Sequence, residues 1–118
     1  IKISGPELTA MDLIFYQYEI GGLSRAGTVL NELAEELDFN RVDNDFFTYF
    51  PSTTVQRLGY ILDEVLEYNE IAQVLCDKAI QAGVSFRKSL LKPENDTEQA
   101  SYNKQWRLVI NEEIEIDE

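Results

Sequence analysis

The apolar residues change rhythm at Gly83. Before it they return every three or four positions, the spacing of one helix face; beyond it they return every second position, the spacing of one strand face. A chain with both rhythms in separate blocks is expected to be α+β: a layer of about four to five helices packed on a small antiparallel sheet. Neither part stands alone, because isolated helices of this length and two-stranded sheets are both marginal in water. With 118 residues, 44% of them hydrophobic, the chain has enough apolar surface for one core, so residues 1–118 are expected to form a single domain. No apolar run reaches the length of a membrane span, so no membrane role is expected. The chain opens at Ile1, not at a methionine, as a fragment or processed product would.

The helical block divides at its punctuation. Lys2 and Ile3 suit a short strand, and Ser4-Gly5-Pro6-Glu7 suits a helix start, with proline in the first turn and capping-box spacing from Ser4 to Glu7. Leu8, Met11, Phe15 and Tyr18 form the expected buried stripe, ended by Gly21-Gly22. A second helix is expected over Leu23 to Leu37, with Leu23, Ala26, Leu30, Leu33, Ala34 and Leu37 inward and Asn31, Glu32, Glu35 and Glu36 outward. Phe39, Val42, Phe46, Phe47 and Phe50 anchor a short helix before Pro51. Ser52, Thr53 and Thr54 offer caps for a helix carrying Val55, Leu58, Leu62, Val65 and Leu66. Gly59 within it predicts the close approach of another backbone. Ile71, Val74, Leu75 and Ile80 give a further helix over Asn69 to Gln81, with Gly83 as its left-handed terminator. Beyond it, Val84–Leu91 and Lys104–Ile116 read as paired strands, joined by a polar loop from Lys92 to Ser101. Trp106, Leu108, Ile110, Ile114 and Ile116 face one way, and Arg107, Asn111, Glu113, Glu115 and Asp117 the other.

Composition narrows the chemistry. The chain has no histidine and a single cysteine, Cys76, which excludes His-assisted nucleophiles, histidine-ligated zinc and disulfides within it. Cys76 sits in an apolar helix stretch and reads as an inert buried thiol. Asp38, Asn40, Asp43 and Asp45 imitate a calcium loop, but Val42 takes the fifth position and Asp43 the sixth, where glycine belongs. They read instead as a solvated, helix-capping segment. Glu112, Glu113, Glu115, Asp117 and Glu118 form the densest acidic run, which reads as a polar strand face fraying into an acidic terminus. No motif calls for a metal or cofactor.

Twenty-two acids against ten bases give a net charge of −12, which disfavours non-specific binding to nucleic acid. The bases are nonetheless concentrated: Arg87, Lys88, Lys92, Lys104 and Arg107 supply five of the ten within 21 residues. Fields are local within a Debye length of about 8 Å, so such a patch can meet a phosphate even on an acidic protein. The competing expectation is pairing with Glu94, Glu98, Glu113 and Glu115, and for Arg57 with Asp12, Asp63 or Glu64. Most aromatics are expected in the core, with Tyr49, Tyr60 and Tyr68 partly exposed.

Several segments carry a resemblance by their order: Ser4-Gly5-Pro6-Glu7-Leu8 through Ile14, Gly21-Gly22-Leu23 through Leu33, Gln56-Arg57-Leu58-Gly59-Tyr60-Ile61-Leu62, and the closing Asn103-Lys104-Gln105-Trp106-Arg107-Leu108-Val109-Ile110-Asn111 with Glu113-Ile114-Glu115. Together, from about Ile3 to Asp117, the chain resembles the C-terminal domain of AbiEi-type antitoxins, regulatory partners in AbiE abortive-infection toxin–antitoxin systems. The resemblance implies a non-catalytic antitoxin or transcriptional-regulator domain, active in phage defence in a bacterial or archaeal cytoplasm. It implies functional pairing with a nucleotidyltransferase toxin, without need of a stable complex. It also implies that promoter DNA is bound mainly by an N-terminal winged helix-turn-helix absent from this chain, which on its own would not repress its operon. Arg57, Arg87, Lys88, Lys104 and Arg107 are the candidate nucleic-acid or partner contacts. Two other readings stay open: a metal-dependent nuclease or phosphotransfer enzyme using the acidic strand residues, since magnesium needs only one or two carboxylates, and a plain interaction or dimerisation module.

Overall fold

The computed structural model describes residues 5–93, 95–98 and 100–116. The expected strand at Ile1–Ser4 and the acidic end at Asp117 and Glu118 lie outside them.

Pro6 opens helix α1 (Pro6–Phe15), entered through Gly5. The expected capping box involves Ser4, which lies outside the described residues; Glu7 Oε2 accepts from the Asp38 amide at 2.8 Å and from Arg41 Nη2 at 2.7 Å. The helix breaks at Tyr16 and resumes as α2 (Gln17–Ile20). The expected stripe is corrected here. Glu7, Ala10, Met11, Ile14 and Gln17 are the buried residues, while Phe15 and Tyr18 are exposed. Two polar residues, Glu7 with its partners and Gln17 with an unpartnered Oε1, hold positions that a hydrophobicity pattern assigns to the wet face.

Gly21 and Gly22 both take positive φ, 104° and 98°, a hinge that side chains rarely adopt. It turns the chain into α3 (Leu23–Leu33), which tightens into a 3₁₀ turn at Ala34–Glu36. Leu23, Ala26, Leu30, Ala34 and Leu37 are buried as expected, and Glu32, Glu35 and Glu36 face water. The phenylalanine-rich stretch forms two 3₁₀ turns, Phe39–Arg41 and Asn44–Tyr49, in place of a regular helix. Asp38 and Asp43 cap them through the amides of Asn40 and Phe46, which is the capping role their spacing predicts.

Helix α4 (Ser52–Tyr60) starts after Pro51 with no side-chain cap, so the expected capping by Ser52, Thr53 and Thr54 is not used. It runs into a single π turn, Ile61–Val65. Helix α5 (Asn69–Gln81) has the expected bounds, but its buried side is Ala72, Leu75, Cys76 and Ala79, and Ile80 is exposed. Gly83, at φ 89°, ends it as expected, with the Val84 amide on the Ala79 carbonyl and the Gly83 amide on the Ile80 carbonyl.

Three short strands follow: β1 (Ser89–Leu90), β2 (Ser101–Asn103) and β3 (Leu108–Ile110). The α+β class holds, but the sheet is mixed and not wholly antiparallel. β3 is central, parallel to β1 and antiparallel to β2. The antiparallel partner of β3 lies where the expected loop ends, at Ser101, and in the two residues beyond it, and residues 104–107 form a turn in place of the expected strand. Leu91 and Leu108 are buried and Ile110 packs against the same core. The alternation predicted over 106–116 survives without a continuous strand: Ile114 and Ile116 lie against Gly27 of α3, where a Cβ would stand 2.8 Å from Ile116 Cδ1.

Candidate functional site

The segment 56–59 of α4 and the turn 104–107 are built for each other. The Gln56 side chain is fully buried, and its Nε2 donates to the carbonyls of Arg87 and Trp106, both at 2.8 Å, and of Arg107 at 3.4 Å. One amide thus ties the approach to β1 to the approach to β3. Its orientation follows from these partners, since a flipped amide would face carbonyls with an oxygen. Gln56 Oε1 has no hydrogen-bond partner. Arg57 donates through Nε and Nη2 to the Leu90 carbonyl, at 3.2 and 2.9 Å, and so braces the outer edge of β1.

Gly59 faces the six-membered ring of Trp106 so closely that a Cβ there would overlap it. The close approach predicted at Gly59 is therefore real, but the neighbour is a side chain and not a backbone. Trp106 is wholly buried, held by Nε1 on Asp63 at 3.2 Å and by its amide on Asn103 Oδ1 at 2.9 Å. Asp63 also accepts from Asn69 at 2.6 Å, so it is committed to structure.

Arg87, Lys88, Lys104 and Arg107 emerge around this clamp, all exposed. Lys88 precedes β1, Lys104 and Arg107 open and close the turn between β2 and β3, and the Ser89 amide donates to the Arg107 carbonyl at 3.0 Å. The expected pairing of these four bases with Glu98, Glu113 and Glu115 does not occur; the ion pair found among the described residues is Arg41 with buried Glu7, and Glu94 lies outside them. Lys88 Nζ instead stands 5.6 Å from the centre of the Tyr102 ring. Lys92, the fifth base of the run, sits 4.9 Å from the Tyr18 ring on another side of the loop.

A second concavity, about 590 Å³, has the opposite character. Glu64, Asp96, Glu98, Glu112 and Glu113 rim it, with Tyr60, Val65, Ile110 and Ile114 among its walls. Asn111 fixes its floor by exchanging hydrogen bonds with the backbone of Lys92, at 2.9 and 2.8 Å. Burial, then the Glu64 carboxylate, pushes the Tyr60 hydroxyl above its ordinary pKa. Among the described residues, no group of three or more acids, cysteines or histidines is disposed to hold a metal ion. Cys76 is buried, and its thiol is pushed up by that burial and then by Asp77 and Asp63, as suits a packing residue.

The aromatics split partly as expected. Phe39, Phe46, Phe47 and Trp106 are core, Tyr49 is exposed, and Tyr60 and Tyr68 are half-buried, but Phe15, Tyr16 and Tyr18 lie outside. Two residues escape the sequence reading: Gln56 is visible there only as part of a motif, and Tyr102 falls between the expected loop, which ends at Ser101, and the expected strand, which begins at Lys104.

No helix among the described residues is long and apolar enough to cross a membrane. A family model described as the AbiEi antitoxin C-terminal domain matches residues 1–64, from before α1 through Gln56–Leu62 and into the π turn. The closing Trp106 segment lies beyond that match. No curated protein and no solved structure matches the chain.

Proposed function

The chain belongs to the family of AbiEi antitoxin C-terminal domains, and on that premise we propose that it serves, as one unit over residues 1–118, to counteract a cognate nucleotidyltransferase toxin. An antitoxin or regulator role follows from the family itself. The finer reading is non-catalytic: the domain works by recognition in the cytoplasm, and repression of the operon belongs to a DNA-binding domain elsewhere in the parent protein. The observation that carries it is the family match reaching through Gln56–Leu62, the segment whose side chains organise the sheet end.

Within this reading the candidate contacts take different roles. Arg87, Lys88, Lys104 and Arg107 form the contact surface for an anionic partner, being exposed and without carboxylate partners among the described residues. Arg57 is a brace that sets the edge of that surface through Leu90. The test is co-expression. The gene product carrying this chain is expected to relieve growth arrest by a neighbouring nucleotidyltransferase, and failure of relief at matched protein levels overturns the reading. Replacing the four bases with alanine is expected to weaken relief while leaving the fold intact by circular dichroism.

A further inference from the structure

We propose that the outer face of the sheet is a nucleotide site, holding a nucleobase against Tyr102 and its phosphates at Lys88, Lys104 and Arg107. The strand register places Leu90, Val109 and Tyr102 in one row across the three strands. Their side chains point away from the face that sends Leu91 and Leu108 into the core, because alternate residues take opposite faces. This row is apolar and open: Leu90 and Val109 are half-buried and Tyr102 is 43% exposed. A concavity of about 360 Å³ lies over it, bounded also by Lys88, Thr97 and Ala100. That is room for one base and its sugar, not for a folded partner. Among the described residues no carboxylate lines it, in a chain with 22 of them.

Lys88 lines the concavity itself, and Lys104 opens the turn that follows β2, two residues beyond Tyr102. Arg107 joins them, its carbonyl accepting from Ser89 next to Lys88. An aromatic ring beside unpaired cations is the pairing that recognises a base with its phosphate. The Lys88–Tyr102 contact at 5.6 Å is an exposed cation–π contact, weaker than base stacking and so displaceable by it.

Charge complementarity selects the occupant. A net charge of −12 opposes a long polyanion that must run across the acidic surface, whereas a compact nucleotide need meet only the basic rim of the concavity. The site therefore suits a free nucleoside triphosphate and not a nucleic-acid strand. The proposal rests on Lys88, Lys104 and Arg107 belonging to a contact surface and is separable from the toxin assignment: nucleotide binding is read on the purified protein, relief of arrest in cells.

Calorimetric titration of the protein with ATP, GTP, CTP and UTP, alongside inorganic triphosphate and a short single-stranded RNA, tests it. Saturable one-to-one binding of at least one nucleotide is expected, with amide NMR shifts at Lys88, Tyr102 and Val109 of the unaltered protein. Tyr102→Ala is expected to weaken nucleotide binding about ten-fold or more while leaving triphosphate binding unchanged, and Tyr102→Phe to preserve both. Lys88→Ala combined with Arg107→Ala is expected to weaken nucleotide and triphosphate alike. The proposal is overturned by the absence of saturable binding, by shifts mapping elsewhere, by triphosphate binding as tightly as the nucleotides, or by the RNA binding more tightly than any of them.

Discussion

The helical part, residues 5–83, and the sheet part, residues 84–116, are held together in different ways. In the first, backbone bonds within each helix act with buried aliphatic side chains on α1, α3, α4 and α5, with the core rings of Phe39, Phe46 and Phe47, and with the Glu7–Arg41 pair. In the second, the strands are two or three residues long, below the length at which a sheet supports itself. Its order is supplied by α4: Gln56 gathers three carbonyls, Arg57 takes a fourth, and Gly59 leaves the space for Trp106. The contrast teaches that a small sheet can be imposed by side chains of a neighbouring helix, and that the rigidity of the basic face depends on residues that never reach it.

If that dependence is right, the sheet should fail before the helices. The largest effect is expected from Trp106→Ala, about 4 kcal/mol in urea unfolding, with amide exchange lost first at Ser89 and Leu91. Equal loss of protection in α1 and α3 would break the comparison. Gly59→Ala should cost about 2–3 kcal/mol, because its new methyl group meets a ring that cannot withdraw from a filled core; Trp106→Leu in the same chain should recover part of it. Gln56→Leu keeps the shape and strands the Arg87 and Trp106 carbonyls, while also removing the unpartnered Oε1, for a net loss of about 1–2 kcal/mol. The smallest effect is a control in the helical part. The Cys76 thiol titrates above its ordinary 9.0 in the folded chain because of burial and the nearby acids, so its contribution is complete below pH 9 and declines as alkali ionises the unfolded chain first. Tyr60 adds a decline of the same sign above 10.0. A melting temperature that rises with pH through this range would contradict both.

Periodicity carries the fold class and the inward residues of α3, and glycine punctuation carries the ends of α2 and α5, because each depends on neighbours within a few positions. It does not carry what depends on distant partners. The stripe of α1 is misplaced because Glu7 and Gln17 are buried polar residues, the first justified only by Arg41 and the Asp38 amide more than thirty positions away. Alternation reports which face a residue takes but not which strand lies beside it, so the parallel pairing of β1 with β3 and the role of Ser101–Asn103 were hidden. The site was partly legible. The backbone carbonyls of Arg87 and Arg107 share the Gln56 amide, while Arg57 turns inward to Leu90. Two of the segments that carry the resemblance, Gln56–Leu62 and Asn103–Asn111, are contact partners in the fold.

Arg107 sits at φ 52°, a conformation in which glycine would rest without strain. A glycine there should make the turn sturdier and, in the same stroke, erase a positive charge from the rim of the sheet. Stability and recognition thus pull in opposite directions at a single position, and anyone engineering a tougher version of this domain would meet that trade-off first at Arg107.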